Sequence, residues 1–194
     1  SIISGGLTRY YYVQVPPRYN PFILHPLMFD YHGATEIATD QCNNTQYFNY
    51  TAGQNYLVVY LQGINRTWEG PKYAVSGVND LQFTADLLAH IRAAYCVDSN
   101  RVYASGKSNG GGFVDTLACS EYGDEFAAFA MASPALYTDL NLTDCGNKRR
   151  AILDCHGFID TVVPYEGRNC SSPKLPNSAK AACVKGGSEP NIDA

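Results

Sequence analysis

Several things are scarce in this chain. No apolar run approaches the roughly 18 residues that a membrane helix needs. The charge is of mixed sign, a formal −4 over 194 residues with pI near 5.5, and no basic stripe stands out. Neither a membrane nor nucleic acid is therefore expected as a partner. The amino terminus, Ser1-Ile2-Ile3-Ser4-Gly5-Gly6, has no charged-then-apolar leader, so a secretory signal, if there was one, is expected to have been removed. No C-x-x-C pair and no Cys/His cluster suggests zinc. There is one tryptophan, Trp68, and there are four histidines, the last at position 156. No internal repeat and no second domain is visible, so residues 1–194 read as a single domain.

What is present points outside the cell. Five N-x-[ST] sequons begin at Asn43, Asn49, Asn65, Asn141 and Asn169, against roughly two expected from the composition. Some of the five could remain unmodified. Cys42, Cys96, Cys119, Cys145, Cys155, Cys170 and Cys183 are scattered along the chain, which suits disulfides better than a metal. Seven is odd, so at least one thiol is free or has its partner elsewhere. A hydrophobic content of 45% suits a globular domain with a buried sheet. The 15 tyrosines, three of them at positions 10 to 12, fit either strand packing or a carbohydrate-facing surface.

Apolar patterning gives an α/β order. Leu7 to Val15 reads as an antiparallel edge strand stopped by Pro16-Pro17, and Pro26 to Tyr31 as a second strand ending in a glycine turn. Tyr56 to Leu61 is a continuous apolar run, as in a buried parallel strand. A helix is expected from Asn79 or Asp80 to about Tyr95. Arg101–Ala104, Phe126–Ala132 and Ala151–Cys155 are further strands, with a helix over Gly110–Ser120. The alternation implies a doubly wound, mostly parallel sheet with helices on both faces. Beyond Gly167 the pattern decays into a Lys/Ser/Gly-rich tail.

The chemistry concentrates at Gly106-Lys107-Ser108-Asn109-Gly110. This G-x-S-x-G run lies between a strand and a helix, the setting of a nucleophile elbow, where glycines permit a sharp turn and the helix amino terminus faces a developing anion. Ser108 is the candidate nucleophile. It needs an imidazole to take its proton and a carboxylate to orient that imidazole. Asp160, just past a strand's carboxyl end, is the candidate acid, with an Asx turn as its bland alternative. Asp154, Asp139 and Asp144 look structural. No histidine follows Asp160. His156 suits turn shaping better than catalysis, His90 reads as an exposed helix residue, and His32 lies beside the turn Gly33-Ala34-Thr35. Backbone donors for an oxyanion are expected at Asn109 and at Ala34 or Thr35, the latter pair equally readable as an ordinary loop. Trp68 and Thr35 are candidate substrate contacts, Trp68 with packing as its alternative.

These motifs resemble a known family. Thr8-Arg9-Tyr10, Tyr31-His32-Gly33, Leu61-Gln62-Gly63, Tyr95-Cys96-Val97-Asp98, the elbow continuing to Phe113, Leu117-Ala118-Cys119 and His156 through Tyr165 together resemble the fungal feruloyl esterases. These belong to the first carbohydrate esterase family, which also holds acetylxylan esterases and relatives of polyhydroxybutyrate depolymerases. The resemblance spans about residues 7 to 171. It implies a secreted α/β-hydrolase, without metal or organic cofactor, that releases hydroxycinnamates such as ferulate from plant cell-wall polysaccharides; the alternatives are an acetylxylan or hydroxyalkanoate esterase on the same site, or a non-catalytic glycan-binding fragment. It assigns Ser108 as nucleophile, Asp160 as acid, and Asn109 with Ala34 as oxyanion donors. Members of that family continue through another helix and strand to a histidine loop. Residues 174–194 match none of it, so the carboxyl-terminal part is expected to be incomplete, and no histidine is carried over.

Overall fold

The computed structural model describes residues 1–136 and 148–171, together with Cys183 and Ser188. Among these residues eight strands are described: β1 (Ile2–Ser4), β2 (Leu7–Arg9), β3 (Tyr11–Gln14), β4 (His25–Tyr31), β5 (Leu57–Leu61), β6 (Val97–Lys107), β7 (Ala128–Ala132) and β8 (Ile152–Cys155). The first two make a small antiparallel pair, and the other six make one sheet in the order β3-β5-β4-β6-β7-β8. Only β3 runs antiparallel, against β5. The remaining pairs are parallel.

Period-two alternation sorts the side chains onto two faces. Leu57, Val59 and Leu61 join Phe29 and Tyr31 in the larger core, whereas Val58 and Tyr60 face a smaller one. The larger core is closed by α2 (Asp80–Ala94) and α3 (Asn109–Cys119), through Phe83, Leu87, Ile91, Phe113 and Leu117. Each of these buried side chains contributes about 1.5–3 kcal/mol relative to exposure. The smaller core is closed by α1 (Ala38–Thr45), through Ala38. Helices thus lie on both faces of a mostly parallel sheet, as the sequence pattern predicts.

Some boundaries differ from that pattern. The run from Leu7 to Val15 is two strands, because the chain changes partner at Tyr10: β2 pairs with β1 and β3 with β5. Arg9 fixes the break. Its guanidinium is buried, bonds Asp80 at 2.5 Å and lies 3.9 Å over the Phe83 ring. Asn79, not Asp80, therefore caps α2, its side chain accepting the Gln82 N–H at 2.8 Å. The expected strand Arg101–Ala104 extends over Val97–Lys107, and β7 starts two residues later than Phe126. The polar helix α1 lies where the sequence shows no apolar period, since only Ala38 and Gln41 are buried in it.

Cys170 and Cys183 form a disulfide, and Cys119 is also disulfide-bonded. Cys42, Cys96 and Cys155 are free thiols, consistent with an odd cysteine count. Among the described residues no helix is long and apolar enough to cross a membrane, and no group of acidic, His and Cys side chains could hold a metal ion.

Candidate active site

The chain passes from β4 to β5 on one side and then back across β4 to β6 on the other. Such a reversal of strand order opens a crevice at the carboxyl ends of the strands. Register brings the expected residues to that edge. Lys107 lies opposite Ala132, and Ala132 opposite Cys155, so Ser108, Ser133 and His156 each follow the same transverse row. Tyr31 pairs with Gly106 and with Leu61, which places the His32–Glu36 turn beside the elbow.

Ser108 turns the chain from β6 into α3 at φ 54°, ψ −120°, a left-handed conformation that costs a non-glycine residue about 1–3 kcal/mol. The surroundings impose it. The Ser108 N–H donates to Ala132 O at 2.9 Å, and its carbonyl accepts from Gly112 N–H at 2.9 Å and Ala135 N–H at 3.0 Å. Close approach explains the flanking glycines. A Cβ on Gly106 would lie 2.5 Å from Gly110 O, and one on Gly110 would lie 2.3 Å from Tyr31 O. Ser108 remains partly exposed. Asn109 opens α3, so its amide has no intrahelical acceptor and stands at the positive end of the helix.

The second expected donor lies in a turn closed on itself. Glu36 N–H donates to Gly33 O at 3.2 Å, and Gly33 N–H donates to the Glu36 carboxylate at 3.0 Å. Ala34 is half-buried and Thr35 exposed, the latter at φ 71° with its N–H donating to Arg66 O at 2.9 Å. The Thr35 amide is therefore committed, which leaves Ala34 as the donor candidate of the two.

His32 is structural. Its Nε2 accepts the Gly63 N–H at 3.0 Å, so Nδ1 carries the proton and donates to Gly33 O at 2.8 Å. Burial, the largest influence, pushes its pKa down. Trp68 also departs from the expectation of a pocket wall. Its indole is wholly buried against Tyr31, Phe113 and His32, and its Nε1–H donates to His32 O at 2.8 Å. The apolar body packs in the core while its one polar atom finds a carbonyl.

Asp160 lies in the loop after β8. Its Oδ1 accepts from Val162 N–H at 2.8 Å and Val163 N–H at 2.9 Å, the pattern of an Asx turn. Burial raises its pKa, but those amides, the Ser133 side chain and His156 outweigh it and hold the carboxyl below its ordinary range. His156 Nε2 donates to Val163 O at 2.7 Å and stands 3.8 Å from Asp160 Oδ2. It shapes the acid's loop. His25 sits at the start of β4, bonded to Asn20, and His90 on α2 stacks edge-on to Tyr11. None of the four imidazoles bonds Ser108 among the described residues. Asp154 is an exposed residue of β8, whereas Asp139, Asp144 and Asn141 lie outside the described residues. Asn43, Asn49, Asn65 and Asn169 are all exposed.

Comparison with known proteins fixes the architecture. A solved structure described as a thermostable esterase superimposes with a TM-score of 0.61 at 22% identity, over 83% of this chain and 46% of that one. An acetyl xylan esterase from Aspergillus awamori gives 0.59 at 16% identity, over 79% and 69%. The fold is that of the α/β-hydrolases. No family model matches the chain. Curated relatives with which it aligns include the bifunctional acetylxylan esterase/xylanase XynS20E of Neocallimastix patriciarum, 29% identical over 145 residues, covering 73% of this chain and 20% of that protein. Feruloyl esterase B of Piromyces equi is 29% identical over 73% of this chain and 27% of its own length. A probable feruloyl esterase C of Aspergillus clavatus is 28% identical over 82% and 57%. The chain thus spans little more than half of the relative it covers best among these three. The α/β-hydrolase fold and these relatives agree with the resemblance read from the motifs.

Sequence reasoning missed three contributors to the site. Lys107 fills a variable position of the pentapeptide, which gives it no signal of its own, yet it forms an ion pair with Glu36. Glu36 itself could have been noticed as an acid three residues after the turn glycine. Asp80 reads in the sequence only as one of two possible caps, with Asn79; its Oδ2 accepts the Glu69 N–H at 2.8 Å and so ties the Trp68 segment to Arg9.

Proposed function

We propose that this chain carries the nucleophile, acid and oxyanion portions of a serine esterase acting on acyl esters of plant cell-wall polysaccharides, feruloyl esters foremost. The observation that carries the reading is Ser108 itself: a partly exposed serine held at φ 54° at the mouth of the fold's crevice, at the amino terminus of a helix whose first amides have no intrahelical acceptor. The names of the relatives point to the substrate class. In this reading Ser108 Oγ attacks the ester carbonyl carbon and gives its proton to a general base. The oxyanion that forms is held by the amides of Asn109 and Ala34. Collapse of the tetrahedral adduct breaks the bond to the sugar oxygen, which leaves with the proton, and water then releases the acid from Ser108. Asp160, ionised at neutral pH, orients and stabilises an imidazolium. Thr35, exposed beside Ala34, contacts the substrate, while Trp68 acts from beneath by holding the turn.

Secretion and N-glycosylation belong to the same proposal. The four described sequon asparagines are exposed, and disulfides suit an oxidising compartment.

A second reading is favoured by one observation, that among the described residues no imidazole bonds Ser108. The chain would then be a glycan-binding, non-catalytic derivative. Fluorophosphonate treatment followed by peptide mass spectrometry separates the two. Labelling at Ser108 supports the esterase, whereas an unlabelled Ser108 in folded protein that still binds feruloylated oligosaccharide supports the binder. Comparing methyl ferulate with an aryl acetate then decides the acyl group.

A further inference from the structure

The Glu36 carboxylate touches two segments at once. One oxygen accepts the Gly33 N–H at 3.0 Å, and the other pairs with the Lys107 ammonium. Gly33 opens the turn that presents Ala34, and Lys107 directly precedes Ser108. No other described ion pair or side-chain hydrogen bond joins that turn to the elbow. The fit is close. A Cβ on Gly33 would lie 3.2 Å from the Glu36 carboxylate and 3.3 Å from Lys107 Cε, so glycine lets the two side chains meet over the turn. Both are partly exposed, Lys107 at 38% and Glu36 at 26%, which keeps their removal from emptying the core. A solvent-screened pair of this kind adds little to global stability. It does fix a geometry. An oxyanion donor displaced by about 1 Å from the reacting carbonyl loses much of its effect.

We propose that Glu36 is a positioning residue: by bridging Gly33 N–H and Lys107, it holds the oxyanion turn at a set distance from Ser108. The proposal rests on the esterase reading for its consequence in catalysis, but the bridge can be measured without it. Glu36→Ala, Glu36→Gln, Lys107→Met and the double variant Glu36→Ala/Lys107→Met are compared with the parent protein in two ways. Amide hydrogen exchange of the peptide covering residues 33–36 reports the turn. Fluorophosphonate inactivation, resolved into binding and maximal rate, reports the site. Expected are exchange about tenfold faster and a maximal inactivation rate about tenfold lower in Glu36→Ala with unchanged inhibitor binding, because the donor is misplaced but the pocket is intact. Glu36→Gln should fall between, since its amide oxygen still accepts the Gly33 N–H. The double variant should be no worse than Glu36→Ala, because both changes break one bridge. Exchange within twofold of the parent in Glu36→Ala, or effects that multiply in the double variant, would overturn the proposal. If the parent's Ser108 does not react at all, the esterase reading falls, and the exchange measurement alone decides the bridge.

Discussion

Asn109 and Trp68 hold each other by two hydrogen bonds. The Trp68 N–H donates to Asn109 Oδ1 at 2.9 Å, and Asn109 Nδ2 donates to Trp68 O at 3.2 Å. Both side chains are buried, so the residue that follows Ser108 clamps the neighbouring loop through its side-chain amide; in the proposed reading its backbone N–H is also an oxyanion donor. Asn109→Ala would leave a buried N–H and a buried carbonyl unpaired, at about 1–3 kcal/mol each. Urea unfolding should show a loss of about 3 kcal/mol, with fluorophosphonate labelling of Ser108 slowed as the Trp68 loop loosens. A loss below about 0.5 kcal/mol would mean that water replaces the amide.

Ser108 holds a positive φ of 54° without being glycine. Ser108→Gly removes both the proposed nucleophile and the penalty of that φ, against a glycine's added unfolded-state entropy. The expected net result is a protein more stable by about 1 kcal/mol and inert to fluorophosphonate. Equilibrium unfolding of the two proteins checks it. Equal or lower stability of the glycine variant would show that the hydroxyl, not the backbone, dominates at this position.

Much of this was legible because local pattern and burial agree. The run from Tyr56 to Leu61 reads as a buried strand, and β5 is wholly buried. The elbow reads from glycine spacing, and its glycines meet backbone oxygens at distances a Cβ cannot tolerate. What sequence could not show was set by distant partners. The break at Tyr10 follows from an Arg9–Asp80 pair separated by 71 residues. Trp68 lies in a polar stretch, so its burial depends on Tyr31 and Phe113 from other elements. Helix α1, Ala38–Thr45, carries only two buried residues, Ala38 and Gln41, too few for an apolar period to appear.

The Arg9–Asp80 pair itself yields a prediction. Both side chains are 1% exposed, and removing one partner strands a buried charge. Arg9→Met should cost about 3–5 kcal/mol, while Arg9→Met/Asp80→Asn should recover a large part of that. Urea unfolding of the parent, single and double variants measures both steps. Should the double variant be as damaged as the single, Arg9 acts by its packing over Phe83 rather than by its charge.

Asp30 offers a test by pH. It is fully buried on the α1 side, where Oδ1 accepts from Gln41 Nε2 and from the Ser105 hydroxyl, both at 2.9 Å. Neither Asp30 Oδ2 nor Gln41 Oε1 has a partner among the described residues. Burial pushes the carboxyl up to about 6, with the hydrogen bonds from Gln41 and Ser105 opposing it, from an ordinary 3.8. A raised acid binds its proton more tightly in the folded state, so its stabilising contribution is complete below the unfolded value and is lost as pH rises through about 6. Asp30→Asn keeps an acceptor for Gln41 Nε2 and the Ser105 hydroxyl and never ionises. The variant should therefore gain on the parent as pH rises from about 4 to about 7.5, by up to about 3 kcal/mol. Urea midpoints across that range decide it. If the parent gains instead, the Asp30 carboxylate is stabilised in its charged form, and its burial is not what governs its titration.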